Sequence, residues 1–590
     1  MAAIDYAIVA LFFCVIFASG VLFYRWVADA DDFYVAGRRL TPFILAATLT
    51  ATNVNLFSFI GQAGQAGATG ISMIWQTWTG NMALVIAGLF VIPVMRRLKM
   101  RTVPEFLEVR YGRSARMLVA AVIFLRLAFW LGVIVGLAAI VAQSVTGAGS
   151  WHFWIITFAI ITIAYTVLGG MWSVALTDVL QFILMMGGAL VILPLIMSQI
   201  GWWPGLKAGL PEGHLALVRT TGTYNWAFIL AISLLGIQWA STDQGLIQRA
   251  FGADSTKTVA KGMVLAGIIT TPFAFLWILP GLASNVFFAQ RGIEVAADHT
   301  IPVMLSELLA PGLLGIVLCG FLASQMSTID SNLSAAATLF VNDIFGRIRK
   351  SPPSDRTLLW VVRLVTLVAG VFMVGFAWYL RRGVGAVGSY LGLIAMLDMP
   401  LFVIVVLFGF FSKRANLPGA LIGYFSGALG GFIAMLLTAN VAEIANSAEA
   451  ITLWQVLVEG GGFLRISIEA VTTAAFLGGN MATATFVSGG AAVAGVLVGS
   501  LVGKRPTSRE LEPVTTARQV SQEERDTGNI YNIWPVSFCG KLCVIALAVA
   551  FAVFLLGAFM GSFAPEAGSI IAPLAMLVFF LAGLARLAFD

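Results

Sequence analysis

The chain has 590 residues, 59% of them hydrophobic and 11% charged, where a soluble globular domain carries about 25% charged residues. This excludes an ordinary water-soluble enzyme, and at roughly 20 apolar residues per crossing the length holds on the order of a dozen or more membrane spans with their loops. The formal net charge is +6, but the basic residues sit in short clusters between long apolar runs, which points to membrane orientation rather than to nucleic acid.

Taken in chain order, apolar runs predict helices near 5–26, 41–66, 72–95, 117–144, 152–168, 174–197, 224–246 and 262–288. Further runs lie near 311–335, 357–380, 384–411, 417–440, 478–502, 535–561 and 567–589. The first run carries Asp5, with no basic stretch before it and no small-residue cleavage pattern after it, so it reads as a retained span. With the N-terminus outside, the clusters Arg96-Arg97-Leu98-Lys99, Arg347-Ile348-Arg349-Lys350, Lys413-Arg414 and Lys504-Arg505 all fall in cytoplasmic loops. Residues 503–533 form the long polar segment of the chain, and their composition suggests a flexible cytoplasmic connection. Cys14, Cys319, Cys539 and Cys543 lie in or beside apolar runs without a C-x-x-C motif, which indicates neither a disulfide framework nor a zinc site.

Polar residues inside an apolar span are costly, and they mark candidate functional positions. The second run contains Thr50-Ala51-Thr52-Asn53-Val54-Asn55. Thr and Asn are weak helix formers, and Asn competes for local backbone hydrogen bonds. A helix broken here frees carbonyl oxygens at mid-membrane depth, which is tolerated where they line a cavity or bind an ion. In the run 311–335, Ser324, Ser327, Thr328 and Ser331 recur at intervals of three and four and so share one helix face. Hydroxyls and free carbonyls suit a hard monovalent cation such as sodium, without the divalent preference of several carboxylates. The plainer alternative is that these hydroxyls bond back to their own helix or pack closely on a neighbour. Asp178 reads equally as a helix cap or as a cation ligand. Asp330 lies deep enough to require a partner. Thr242-Asp243-Gln244 with Gln248-Arg249 reads as a solvated helix end or an intracellular gate.

Over residues 31–435 the sequence resembles the sodium:solute symporter family, and within it the sodium/glucose cotransporter branch. The resemblance rests on Asp32-Phe33-Tyr34 with Gly37-Arg38, Val103-Pro104-Glu105-Phe106 with Arg110-Tyr111, and Gly169-Gly170 leading to Thr177-Asp178 and Gln181. It continues through Thr242-Asp243-Gln244 with Gln248-Arg249, Met326-Ser327-Thr328 with Asn342-Asp343-Ile344, Ser389-Tyr390-Leu391-Gly392, and Lys413-Arg414 with Asn416 and Pro418-Gly419-Ala420. What carries the likeness is the order and spacing of these motifs.

The resemblance implies an all-α integral membrane protein of about 14–15 spans. Its LeuT-like core of two inverted five-helix repeats covers 41–411, after a peripheral first span and connection over 1–40. Peripheral helices and the polar segment near 503–533 fill 412–590. The family pattern assigns a sodium site to the backbone oxygens of Ala51, Val54 and Ser324 and the hydroxyls of Ser327 and Thr328. A second cation or proton site falls on Asp178 with Ser331, and Asp330 departs from the family's usual hydroxyl or small residue there. Asn53, Asn55, Ser58, Thr77, Trp239, Asp243 and Gln244 are the implied solute and gate residues. The positions that hold a hexose in sugar-binding members are here Ser58, Thr77, Thr270 and Gly385, so the hydrogen-bonding set for a hexose is largely absent. Trp75, Gln76, Trp78 and Trp239 stand near that pocket as lining or as interfacial belt residues.

The implied activity is sodium-coupled symport, in which a small organic solute is imported by alternating access, with Na+ as the coupling ion and the bilayer of the cell membrane as the setting. The alternatives are a membrane-embedded solute sensor or an uncoupled sodium or solute channel of the same fold. No nucleic-acid partner is expected. An enzyme is not expected either, since the chain carries no HExxH motif, no phosphate-binding glycine loop and no paired carboxylates with a nucleophile.

Overall fold

The computed structural model describes residues 1–23, 35–220, 222, 224–348, 355–380, 386–444 and 480–589, and among them every regular element is a helix. That is what a bilayer demands, since a helix satisfies its own backbone hydrogen bonds where no water can. The first half contains α1 (Ala3–Phe23), α2 (Pro42–Asn53), α3 (Ala63–Thr69), α4 (Trp75–Ile86), α5 (Arg113–Thr146), α6 (Trp151–Gln199), α7 (Trp226–Thr242) and α8 (Gln244–Phe251). The second contains α9 (Thr256–Phe273), α10 (Phe275–Ala289), α11 (Leu313–Leu339), α12 (Asp355–Leu380), α13 (Ala386–Leu401), α14 (Leu417–Ile444), α15 (Asn480–Val502), α16 (Ser508–Thr516), α17 (Gln522–Asp526), α18 (Phe538–Met560) and α19 (Pro565–Phe589).

Among the described residues, eleven helices are long and apolar enough to cross a membrane, or up to 13 if each bent pair is one span. The bent pairs are α2 with Phe57–Thr69, at 50°, and α7 with α8, at 46°. They are the opening helices of the two inverted repeats, each interrupted within the span. The stretches near 152–168 and 174–197, expected as separate spans, lie in the single helical run of α6. Its 49 residues would extend about 74 Å at 1.5 Å per residue, more than twice the ~30 Å hydrocarbon thickness, so the two halves cannot share one straight crossing.

Burial separates core from periphery. The apolar window of Leu313–Phe345, which contains α11, is 89% buried, against 28% for α18. α11 packs against α2, α5, α6 and α8, whereas α14 pairs with α15 and α18 with α19. Interior position with a polar sequence makes α11 the helix on which a site can be built. The close crossing of α3 and α10 depends on glycine: a Cβ on Gly281 would collide with the Ala63 carbonyl, and one on Gly67 would lie 2.6 Å from the Gly281 oxygen.

Residues 503–533 are docked rather than free. α16 and α17 each begin with a capping box, Thr507 with Glu510 and Ser521 with Glu524. Glu524 is buried and receives both Nε and Nη2 of Arg97 at 3.0 and 3.2 Å. The Tyr531 hydroxyl donates to the Leu89 carbonyl at 3.1 Å. Composition suggested a flexible connection because it records polarity but not the partner, a buried arginine more than 400 residues away.

The α3–α10 crossing yields a stability prediction. Gly281→Leu must displace backbone, so its thermal midpoint in detergent falls, in line with an overpacking cost of about 1–3 kcal/mol. Gly375→Leu, where an added Cβ meets nothing within 4 Å, leaves the midpoint unchanged.

Candidate cation and solute site

The break after α2 has a local cause. Val54 is extended, with φ −95° and ψ 113°. The Asn55 side chain then takes the Phe57 N–H at 2.8 Å, and the Ser58 N–H donates to the Asn55 carbonyl at 2.9 Å. In a continuous helix those two donors would serve Asn53 and Val54. The asparagine side chain thus substitutes for main chain and releases carbonyls next to α11, and Ala51 and Val54 are both buried there.

α11 meets this break through its hydroxyls. Thr328 Oγ1 lies 3.3 Å from the Thr52 carbonyl and 3.2 Å from the Ser324 carbonyl. Ser327 Oγ is buried without a hydrogen bond of ordinary geometry and sits beside the Asp178 carboxylate. One turn on, the Ser331 hydroxyl bonds to the Ser327 carbonyl and lies 3.2 Å from Asp330 Oδ1. Asp178, Asp330, Ser324, Ser327 and Ser331 are all fully buried.

At the centre of this cluster lies Arg249, which sequence reasoning left at a solvated helix end or gate. It is fully buried. Its Nε donates to Thr48 Oγ1 at 2.7 Å, Nη1 to the Gly245 carbonyl at 2.6 Å, and Nη2 to Asp178 Oδ2 at 3.1 Å and to the Ser331 hydroxyl. Thr48 in turn donates to Asp178. Arg249 therefore ties α8 to α2, α6 and α11. The available signal was the need of the buried Asp178 for a counter-charge, but neither acid names its partner.

Beside the break lies a cavity of about 120 Å³, several times the volume one water needs. Asn53, Asn55, Ser58, Thr77, Trp239 and Asp243 all line it, as do Gln76, Val54 and Thr328. Gln244 lies outside it, its amide bonded to the Val103 N–H and the Arg101 carbonyl. Trp75 and Trp78 donate their indole N–H groups to the carbonyls of Leu217 and Thr271. Thr270 bonds back to Ala266 and lies 3.3 Å from the Thr50 hydroxyl. Gly385 lies outside the described residues.

A second buried arginine stands behind the cavity. Arg126 on α5 contacts Asp243 Oδ2 at 2.6 Å and Asp398 Oδ1, on α13, at 3.3 Å. Asp398 lines the cavity and was not among the expected site residues. The signal was in the sequence, since Arg126 and Asp398 each interrupt an otherwise apolar stretch.

Two of the motifs that carry the resemblance also meet in space. Arg116 reaches Glu105, Glu108 and Asp343, and Thr102 donates to Asp343 at 2.9 Å. This network ties the Pro104-Glu105-Phe106 helix to the end of α11.

Two interrupted helices around a buried polar cavity, inside an inverted-repeat bundle, define a secondary transporter of the symporter class. Residues 33–427 match the sodium:solute symporter family. Among curated proteins the chain is 26% identical over 493 residues to sodium/glucose cotransporter 4 of Mus musculus, covering 76% of this chain and 70% of that one. It is 25% identical over 463 residues to the sodium/glucose cotransporter of Vibrio parahaemolyticus (71% and 83%). It is also 26% identical over 478 residues to sodium/myo-inositol cotransporter 2 of Oryctolagus cuniculus (73% and 70%). Its fold matches the substrate-bound, outward-open state of a sodium-coupled sialic acid symporter with a TM-score of 0.72 at 20% identity, over 86% of this chain and 99% of that one. The chain belongs to the sodium:solute symporter family, and sodium is its coupling ion.

The Arg249 cluster generates a second prediction. Arg249→Met strands a buried carboxylate, at a cost of about 3–5 kcal/mol, and lowers the thermal midpoint of the purified protein. The double variant Asp178→Asn/Arg249→Met recovers most of that loss, because both charges are then removed. A double variant no more stable than Arg249→Met shows that the pair is not the interaction being broken.

Proposed function

We propose that the protein imports a small organic solute into the cell by alternating access, drawing on an inward sodium gradient, with its N-terminus extracytoplasmic. The observation that carries this reading is the break at Val54–Leu56 facing the hydroxyls of α11, with a solute-sized cavity on the same broken segment. Sodium sits between the carbonyls of Ala51, Val54 and Ser324 and the hydroxyls of Ser327 and Thr328, joining the unwound end of α2 to α11. Thr52 and Thr328 border both that position and the cavity, so ordering the break for the ion orders the solute site as well. The coupling is a free energy and is reciprocal between ion and solute. Each sodium charge moving inward contributes about 2.3 kcal/mol per 100 mV of membrane potential.

Asp178, Asp330 and Ser331 form a second position for a cation or a proton. Arg249 pairs with Asp178 there, and the Ser331 hydroxyl lies 3.2 Å from Asp330 Oδ1.

Reconstituted in proteoliposomes, the protein accumulates solute against its gradient only when sodium outside exceeds sodium inside; a sensor or a channel accumulates nothing. Ser327→Ala and Thr328→Ala each weaken the apparent sodium affinity of uptake tenfold or more, the loss expected when a ligand to a charge is removed at roughly 1.5–3 kcal/mol. Unchanged sodium activation in both variants sinks the site assignment. The sodium-to-solute flux ratio falls in Asp178→Asn or Asp330→Asn if the second position carries an ion. A ratio unmoved by either removes both acids from coupling.

A further inference from the structure

The cavity has an unbalanced charge. Its charged lining residues, among those described, are two acids, Asp243 and Asp398. One guanidinium, Arg126, stands behind them and is shared between the two, its Nη2 donating to Asp243 Oδ2 at 2.6 Å and its Nε lying 3.3 Å from Asp398 Oδ1. Asp243 is further occupied as the cap of α8, where its Oδ1 accepts the Leu246 N–H at 3.0 Å. Asp398 is 2% exposed, and its Oδ1 accepts no hydrogen bond of ordinary geometry. Two carboxylates against one guanidinium leave a formal charge of about −1 beside a cavity walled by membrane helices, where an uncompensated charge is expensive. The Gln76 Oε1 atom, also lining the cavity, is another buried acceptor without a donor. Both of these buried lining atoms, Asp398 Oδ1 and Gln76 Oε1, are acceptors.

The cavity lining also carries aromatic rings. Phe57, Trp130, Trp239 and Trp277 line the same cavity, with Phe57 and Trp130 edge to face at 5.4 Å. Ring faces attract a cation through their quadrupole, and more strongly when it is desolvated. Trp277 and Thr77 both donate to Gln62 Oε1, at 2.9 and 3.0 Å, which holds the indole in place.

We propose that the solute carries a positive charge, a primary ammonium held by Asp398 beside the aromatic rings of the cavity. An ammonium brings three donors and one positive charge, and so supplies both what Asp398 and Gln76 lack and what the pair of acids leaves unbalanced. A neutral polyol supplies donors but leaves the charge. A carboxylate-bearing solute adds a second unbalanced charge and is rejected. This assignment rests on the reading of the cavity as the solute site of a sodium symporter.

The test uses matched series that differ in charge at nearly constant size: ethanolamine, ethylene glycol and glycolate, then glucosamine, glucose and glucuronate. Each is added to the purified full chain in sodium and in potassium buffer, and the thermal midpoint is read as a function of concentration. In sodium, the ammonium member of at least one series stabilises with an apparent affinity tenfold or more tighter than its neutral counterpart, and the anion has no effect. Asp398→Asn removes that preference while keeping the stabilisation by sodium alone, and Asp398→Glu retains the preference. Neutral members that bind as tightly as the ammonium ones, or an ammonium preference that survives in Asp398→Asn, overturn the proposal. If Asp398→Asn does not fold, the charge series on the unmodified protein decides. Absence of any stabilisation by sodium itself tells against the symporter site and not against the charge of the solute.

Discussion

Every other feature of this structure depends on the cost of leaving a backbone or charged group unsatisfied inside a bilayer. A span that keeps all its i to i−4 bonds has nothing to offer a ligand. The chain therefore gives up regular helix only where a substitute is at hand. At Val54–Leu56 the substitute is the Asn55 side chain, which accepts the Phe57 N–H, and the threonine hydroxyl of α11 directed at the Thr52 carbonyl. At the second break it is Asp243, which caps α8 through the Leu246 N–H. Both breaks are thus capped by their own side chains.

The same constraint explains the buried arginines. Arg249 and Arg126 lie at 0 and 2% exposure, and each contacts carboxylates from a different helix: Asp178 on α6, Asp398 on α13, and Asp243 at the break between α7 and α8. Ion pairs of this kind contribute little net stability against well-packed apolar residues. What they contribute here is register, since a guanidinium with fixed forks holds α8 against α2, α6 and α11 in one relative placement.

Much of this was legible in the sequence, and the limits were physical. Hydropathy found each span because the bilayer thickness sets a length that local composition must meet. The run Thr50 to Asn55 announced a break because weak helix formers stood where Leu and Ala belong, and the three- and four-residue spacing of Ser324, Ser327, Thr328 and Ser331 put them on one face. Pairing was not legible. Asp178 and Arg249 are 71 residues apart and Arg126 and Asp243 are 117, and a single sequence records the cost each side would incur alone but not which side relieves it. The docking of 503–533 was missed for the same reason, because Glu524 looks like any solvated glutamate until Arg97 is brought to it. The unbroken run of α6 was missed because an apolar window measures length in the bilayer and not continuity of the helix.

The two buried acid clusters make a related point about coupling. The first joins Asp178 to Arg249 with Asp330 beside Ser331, and the second sets Asp243 and Asp398 against the one guanidinium of Arg126. They are connected through a short path: Asp330 and Ser331 on α11 are within one turn of Thr328, and Thr328 meets Thr52, which borders the cavity that Asp398 lines. Under the proposed scheme, ion and solute each bind at one cluster and order the broken end of α2 that both adjoin. Two cations would ordinarily oppose one another at such a distance. Under that scheme the carboxylates beside each cation offset part of the repulsion, and the ordering of the shared break remains as the net interaction between them.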